Sequence, residues 1–210
     1  NNGFGARLDS PSFNYKTRRY NDAYSKLPQN IILGSETAST VSSRGVYHLP
    51  GQALSDGSVP EDFNALSGAQ RMHPDQQSSS YDNEYCWWSN IPDVDFAADE
   101  AYSWMTGQFV WTGFDYLGEP TPYDTEAWPS HSSVFGIIDL ASIPKDRFYL
   151  YRSVWNRDEA TLHVLPHWNW KGQEGRNVPV MVYTSWPAAE LFVNGVIQGI
   201  VRKDTTPVSE

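Results

Sequence analysis

A single cysteine, Cys86, occurs in the 210 residues, so no disulfide can close within the chain and no zinc site built on several thiolates is available. Cations are scarce too: 15 Lys and Arg stand against 25 Asp and Glu, a formal net charge of −10. That balance argues against a nucleic-acid partner, because phosphate contacts need clustered Lys and Arg. The one basic cluster, Lys16, Arg18 and Arg19, falls on an expected helix and reads as a solvated face. No apolar run reaches about 18 residues, which argues against a helical membrane span. His48, His73, His131, His163 and His167 are scattered without ligand spacing, so neither a bound metal nor a cofactor is expected. The start, Asn1-Asn2-Gly3, has neither an initiator Met nor a signal-peptide pattern, and a longer natural protein is therefore expected. No compartment follows from the sequence, and a periplasmic or extracellular setting stays open.

Aromatic residues, by contrast, are abundant: nine Trp and twelve Tyr contribute to a 14% aromatic share. Together with 40% hydrophobic residues this is enough to build a sizeable core. Aromatic richness also suits sugars, whose C–H faces stack on rings while their hydroxyls take hydrogen bonds.

Along the chain, Ser12 to Tyr15 reads as a strand. Lys16 to Leu27 follows as a helix, with Tyr20, Ala23, Tyr24 and Leu27 at helical spacing and Pro28 behind it. Asn30 to Ser35 is a continuous apolar run of the kind found in strands buried on both faces, which completes a βαβ unit. From Pro50 to about Tyr85 the composition is that of a long loop, functional or mobile. Asp95 is expected to cap a helix running to Met105 and closed by Gly107, and Gln108 to Gly113 is a second buried strand. Pro144 is expected to open another helix. After Arg157 the period changes to two, over Thr161 to Leu165, Val178 to Thr184 and Glu190 to Val193, with Asn194-Gly195 as a hairpin turn. Three barrel-type and three sandwich-type strands leave open edges, so further polypeptide is expected to cover them.

The sharpest chemical feature is Ile31-Ile32-Leu33-Gly34-Ser35-Glu36-Thr37-Ala38-Ser39, a buried strand that delivers a carboxylate at its C-terminal end. Catalytic residues of (β/α)8 barrels sit at that end. A capping or salt-bridged Glu would fit the position equally well.

This segment resembles the bacterial β-galactosidase-like branch of glycoside hydrolase family 2. So do Gly107 to Pro120 (GQFVWTGFDYLGEP), Phe135 to Leu140 (FGIIDL) and Pro144 to Tyr151 (PKDRFYLY), in the family's order. The resemblance implies that residues 1–155 are the C-terminal part of a TIM-barrel catalytic domain, with strands six, seven and eight at Ser12 to Tyr15, Asn30 to Glu36 and Gln108 to Gly113. Residues 156–210 would begin an Ig-like β-sandwich. It further implies double displacement, with Glu36 as nucleophile and a second carboxyl about 5–5.5 Å away as acid/base. By the same resemblance the family's acid/base Glu, at the end of the fourth strand, would lie upstream of Asn1. Tyr15 resembles the tyrosine that donates to the nucleophile, with Asn14 as the alternative because the register there is loose. Trp111 would stack on the sugar, with packing at the barrel top as the alternative, and Asp115 and Glu119 are possible sugar contacts. Trp87 and Trp88 read equally well as an acceptor wall or a satellite core.

Members acting on glucuronides carry Asn-x-Lys-Gly where this chain has Ser133-Val134-Phe135-Gly136, so a neutral sugar is expected. The expected partners are an oligosaccharide or β-galactoside and the remaining segments of the same enzyme. The competing classes are a non-catalytic carbohydrate-binding or scaffold piece, which would not need the βαβ pattern, and a glycosidase for another neutral sugar.

Overall fold

The computed structural model describes residues 3–48, 75–86, 88–123 and 127–203. Most of the expected long loop, together with Trp87 and His73, lies outside them.

Three parallel strands, β1 (Ser12–Asn14), β2 (Ile32–Thr37) and β3 (Met105–Val110), form one sheet in that order. The β1–β2 connection contains a 3-10 turn over Thr17–Arg19 and helix α1 (Tyr20–Lys26). The β2–β3 connection contains α2 (Pro92–Ala101). Parallel neighbours need such crossovers, since a tight turn can only reverse the chain. Tyr20, Leu27, Ile32 and Ala98 are buried together against Phe13, Tyr24, Tyr102, Trp104 and Met105. This is the apolar stripe of α1 meeting the strands. Gly34 is required by closeness: a Cβ there would come within 2.8 Å of Thr37 Cγ2 and 3.1 Å of Gln108 Cβ.

Helix α3 (Asp146–Trp155) follows a loop-rich stretch, and beyond it the strands are antiparallel: β4 (Leu162–Leu165) with β5 (Met181–Thr184), and β6 (Ala188–Val193) with β7 (Val196–Arg202). Asn194 and Gly195, at φ 51° and 79°, make the expected hairpin turn. Leu165 and Tyr183 pack on Tyr81, with Tyr47, Tyr149, Leu150 and Met181 around them. A third buried group, Val41, Cys86, Tyr123 and Phe135, has Trp88 packed against it.

Several boundaries differ from expectation. Helix α2 begins at Pro92, whose ring presets the first helical φ, so Asp95 is an interior, buried residue and not the cap. The helix ends at Ala101, and β3 starts at Met105 with Gly107 inside it. Helix α3 begins two residues after Pro144, which instead bridges to Ile138. The described end of the long loop is packed: Ser78, Ser79, Ser80 and Tyr81 are buried, and the Ser80 amide donates to Val46 O at 2.7 Å.

Candidate active site

The strand register brings the expected residues to one edge of the sheet. Asn14 pairs with Glu36 and Thr37 with Val110, so the C-terminal ends of β1, β2 and β3 lie side by side. Past those ends the chain stays tied: the Tyr15 amide donates to Glu36 O at 2.9 Å and the Trp111 amide to Thr37 O at 3.0 Å. Tyr15, Glu36 and Trp111 therefore follow from pairing, which reaches further than any one of their local sequences.

Within this group the Tyr15 hydroxyl donates to Glu36 Oε2 at 2.7 Å, and Ser39 Oγ donates to the Tyr15 oxygen at 2.6 Å. Of the two candidates on β1, Tyr15 reaches the carboxylate; Asn14 Oδ1 instead accepts from Ser35 Oγ at 2.7 Å. Tyr15 and Ala38 sit in the left-handed region, at φ 53° and 46°. Non-glycine residues held there carry strain that the surrounding structure must impose, and such positions cluster at functional sites. Burial, with the Glu36 charge adding to it, pushes the Tyr15 phenol above its ordinary range, so Tyr15 stays a hydrogen-bond donor. Beneath the edge, Thr37 Oγ1 donates to Gln108 Oε1 at 2.7 Å, and Gln108 Nε2 donates to Asp99 Oδ2 at 2.7 Å.

Trp111 follows the third strand directly, is 36% exposed as a residue, and lies edge-on to Tyr116 at 6.0 Å between centroids. The Trp111–Thr112 peptide is cis. Glu119 is half-buried, and its Oε1 accepts from the Thr121 amide at 2.8 Å. Asp115 lies beneath the loop. Its Oδ1 accepts from the Gly136 amide at 2.7 Å and from Ser133 Oγ at 3.0 Å, and its Oδ2 pairs with Lys145 Nζ at 2.7 Å. Both oxygens are thus committed inside the protein.

Lys145 and Arg147, within the Pro144 to Tyr151 segment, brace the loops that follow β2 and β3. Lys145 Nζ donates to Ser42 O at 2.8 Å, while Arg147 donates to Ser42 Oγ, Phe135 O and Gly136 O at 3.2, 3.2 and 3.3 Å. Burial lowers the Lys145 ammonium to about 8 despite the Asp115 charge. Arg147 also faces Asp82 at 3.7 Å, and Asp82 accepts from Tyr183 Oη at 2.7 Å, which links α3 to β5. Sequence reasoning had no role for Ser39, Lys145 or Arg147. The signal for the last two was an alternation of cations at the start of a helix, which reads as solvated until the loops pack over it. Among the described residues no group of three or more His, Cys, Asp or Glu could hold a metal ion.

A scan of protein-family models finds no match. Over 94% of its length the chain is 36% identical to a β-galactosidase of Bacteroides ovatus, of which it covers 22%. It is 32% identical over 74% of its length to a putative β-glucuronidase of Formosa agariphila, of which it covers 14%. The chain thus spans under a quarter of the length of these curated relatives. Among solved structures, a β-glycosidase from Bacteroides vulgatus superposes with a TM-score of 0.71 at 30% identity, covering 96% of this chain and 28% of that one. A glycosyl hydrolase family 2 member from Bacteroides cellulosilyticus gives a TM-score of 0.63 at 22% identity, over 96% of this chain and 24% of that one, a likeness of fold. The resemblance carried by four separated segments therefore extends along nearly the whole sequence and into the fold, and the chain belongs to glycoside hydrolase family 2.

Proposed function

We propose that this chain supplies the nucleophile side of a retaining β-glycosidase, most specifically a β-galactosidase, and that Glu36 is the nucleophile. The observation that carries the reading is the Glu36 carboxylate at the C-terminal edge of a parallel sheet, held through Oε2 by Tyr15. In the first step the free oxygen of Glu36 bonds to the anomeric carbon as the glycosidic C–O bond breaks. The departing oxygen takes a proton from an acid/base carboxyl contributed by another part of the enzyme. That group then deprotonates water, which cleaves the glycosyl ester and frees Glu36. Trp111 offers the sugar an apolar face, Asn14 and Tyr15 stand on the same edge as polar contacts, and Glu119, in the loop after β3, is a further polar candidate. Asp115 serves from below, by holding the loop after β3.

On this reading β1, β2 and β3 are strands six to eight of a (β/α)8 barrel formed in part by residues 1–155, and residues 156–210 begin an Ig-like sandwich. Remaining segments of the same enzyme would cover apolar side chains such as Phe192, Ile197, Ile200 and Val201, which β6 and β7 leave exposed. The B. ovatus β-galactosidase and the B. vulgatus β-glycosidase support the activity class. The parallel sheet with helical crossovers favours it over a plain binding module.

For the sugar, Phe135 stands where the glucuronide-acting members carry Lys, and it is 3% exposed, packed with Val41, Cys86 and Tyr123. Ser133, where they carry Asn, is committed to Asp115. Neither can grip a sugar carboxylate, so a neutral sugar is favoured although the F. agariphila relative is called a putative β-glucuronidase.

In the enzyme carrying this segment, Glu36→Gln should lower kcat on an aryl β-galactoside by about 10³–10⁶ with the unfolding midpoint kept, because the amide is a very poor nucleophile. A loss below about tenfold would overturn the assignment.

A further inference from the structure

We infer that Ser39 is a positioning residue for the reaction, acting through Tyr15 to fix which oxygen of Glu36 faces the sugar. The inference rests on the reading of Glu36 as nucleophile.

Hydrogen counting sets the direction of the chain. The ionised carboxylate can only accept, and a phenol has one hydrogen to give. At 2.7 Å from Oε2 the Tyr15 hydrogen is spent on Glu36, so the 2.6 Å contact with Ser39 requires the serine to donate. The order is Ser39 Oγ–H to Tyr15 Oη–H to Glu36 Oε2, with no alternative arrangement of the hydrogens. A hydroxyl that already accepts a hydrogen bond is a stronger donor, so Ser39 tightens the hold of Tyr15 on Oε2. The other oxygen is then the one presented to the anomeric carbon.

The backbone is built to deliver this serine. Along an extended strand residues 36 and 39 would point to opposite faces, and they could not share one tyrosine. Ala38, at φ 46°, turns the chain back between them. Ser39 itself is 1% exposed, and its carbonyl accepts from the Cys86 amide at 3.1 Å. The next amide but one, Val41, donates to Glu84 O at 2.9 Å. Ser39 is thus held from its main chain while its side chain is left to serve Tyr15.

The test is a double-mutant cycle on kcat/KM for an aryl β-galactoside, in the enzyme carrying this segment. Ser39→Ala should lose roughly tenfold, carried by kcat, and Ser39→Thr should recover most of it, since its hydroxyl can donate in the same way. Should Ser39→Ala fail to fold, Ser39→Cys takes its place, because the thiol is a weaker donor of similar size. The deciding readout is coupling: adding the Ser39 change to Tyr15→Phe should cost nothing beyond Tyr15→Phe alone. A merely structural serine would give losses that multiply. Multiplying losses, or a Ser39→Ala enzyme within twofold of wild type, would overturn the inference. Glu36→Gln run alongside separates the two readings. If it keeps activity, the nucleophile assignment falls and takes Ser39 with it; if it is inactive while the losses multiply, only the role of Ser39 falls.

Discussion

At Gly136 an added methyl would sit 2.1 Å from the Asp115 amide nitrogen and 2.5 Å from the Ile138 carbonyl oxygen. Both are main-chain atoms, so neither can swing aside, and the loop after β3 must shift to make room. Gly136→Ala is therefore expected to destabilise the protein by about 3 kcal/mol or more, at the upper end of overpacking costs, as read from the denaturant midpoint. An unchanged midpoint would contradict the tight approach of Phe114, Asp115 and Gly136. At this scale the sequence was informative where chemistry and pattern coincided. Glu36 stands out because an apolar run ends on a carboxylate, whereas Tyr15 is marked only by the family resemblance of the segment around it. Ser39 did not stand out: its role depends on the left-handed turn at Ala38, which no alternation or propensity reveals. Asp115 was legible as a carboxylate near the site, but its direction depends on Lys145, 30 positions further along the chain.

Lys145 begins the brace beneath the site elements, and its pairing with Asp115 is almost wholly out of water. Breaking a buried pair from one side leaves the other charge uncompensated, which costs about 3–5 kcal/mol. Lys145→Met should show a loss of that order in equilibrium unfolding, and Lys145→Met/Asp115→Leu should recover part of it, because two apolar groups need no pairing. A loss below about 0.5 kcal/mol for the single change would mean that the pair is solvated. The three strands of the sheet and the three helices could be anticipated from period and apolar runs. Their ends could not. Pro92 competed with Asp95 for the start of α2, and a proline that presets φ prevailed over a carboxylate placed three residues further in. Strand β7 went unassigned although the Asn194-Gly195 turn demanded a returning partner; its Gln and Gly blurred the alternation.

Across the whole molecule the acidic balance has a consequence beyond solubility, because some of the carboxyls are buried. Burial pushes the Asp95 carboxyl up to about 8, and that of Asp82 up to about 6 even with Arg147 beside it. An unfolded Asp titrates near 3.9, so between roughly pH 4 and 8 the folded state holds more protons than the unfolded one. The contribution of these groups is fully present below about pH 4 and is lost as pH rises through the folded values. Asp95→Asn should therefore flatten the fall of the unfolding midpoint between pH 5 and 8, and it should raise stability relative to wild type most at the alkaline end. An identical pH slope in variant and wild type would contradict the protonated state of Asp95. Net charge and composition say nothing of this, since burial of a particular carboxyl is a property of packing. The same holds for the link from α3 to β5 through Arg147, Asp82 and Tyr183, whose members lie far apart in the chain.

The most direct measurement of the central claim is covalent trapping. The enzyme carrying this segment is incubated with a 2-deoxy-2-fluoro-β-galactosyl donor bearing a good leaving group, and the labelled peptide is mapped by mass spectrometry. Fluorine slows both steps, and an activated leaving group restores the first, so the glycosyl-enzyme ester accumulates. The account predicts a single adduct on the peptide containing Glu36, lost in Glu36→Gln. An adduct mapped to Asp115 or Glu119 would contradict it.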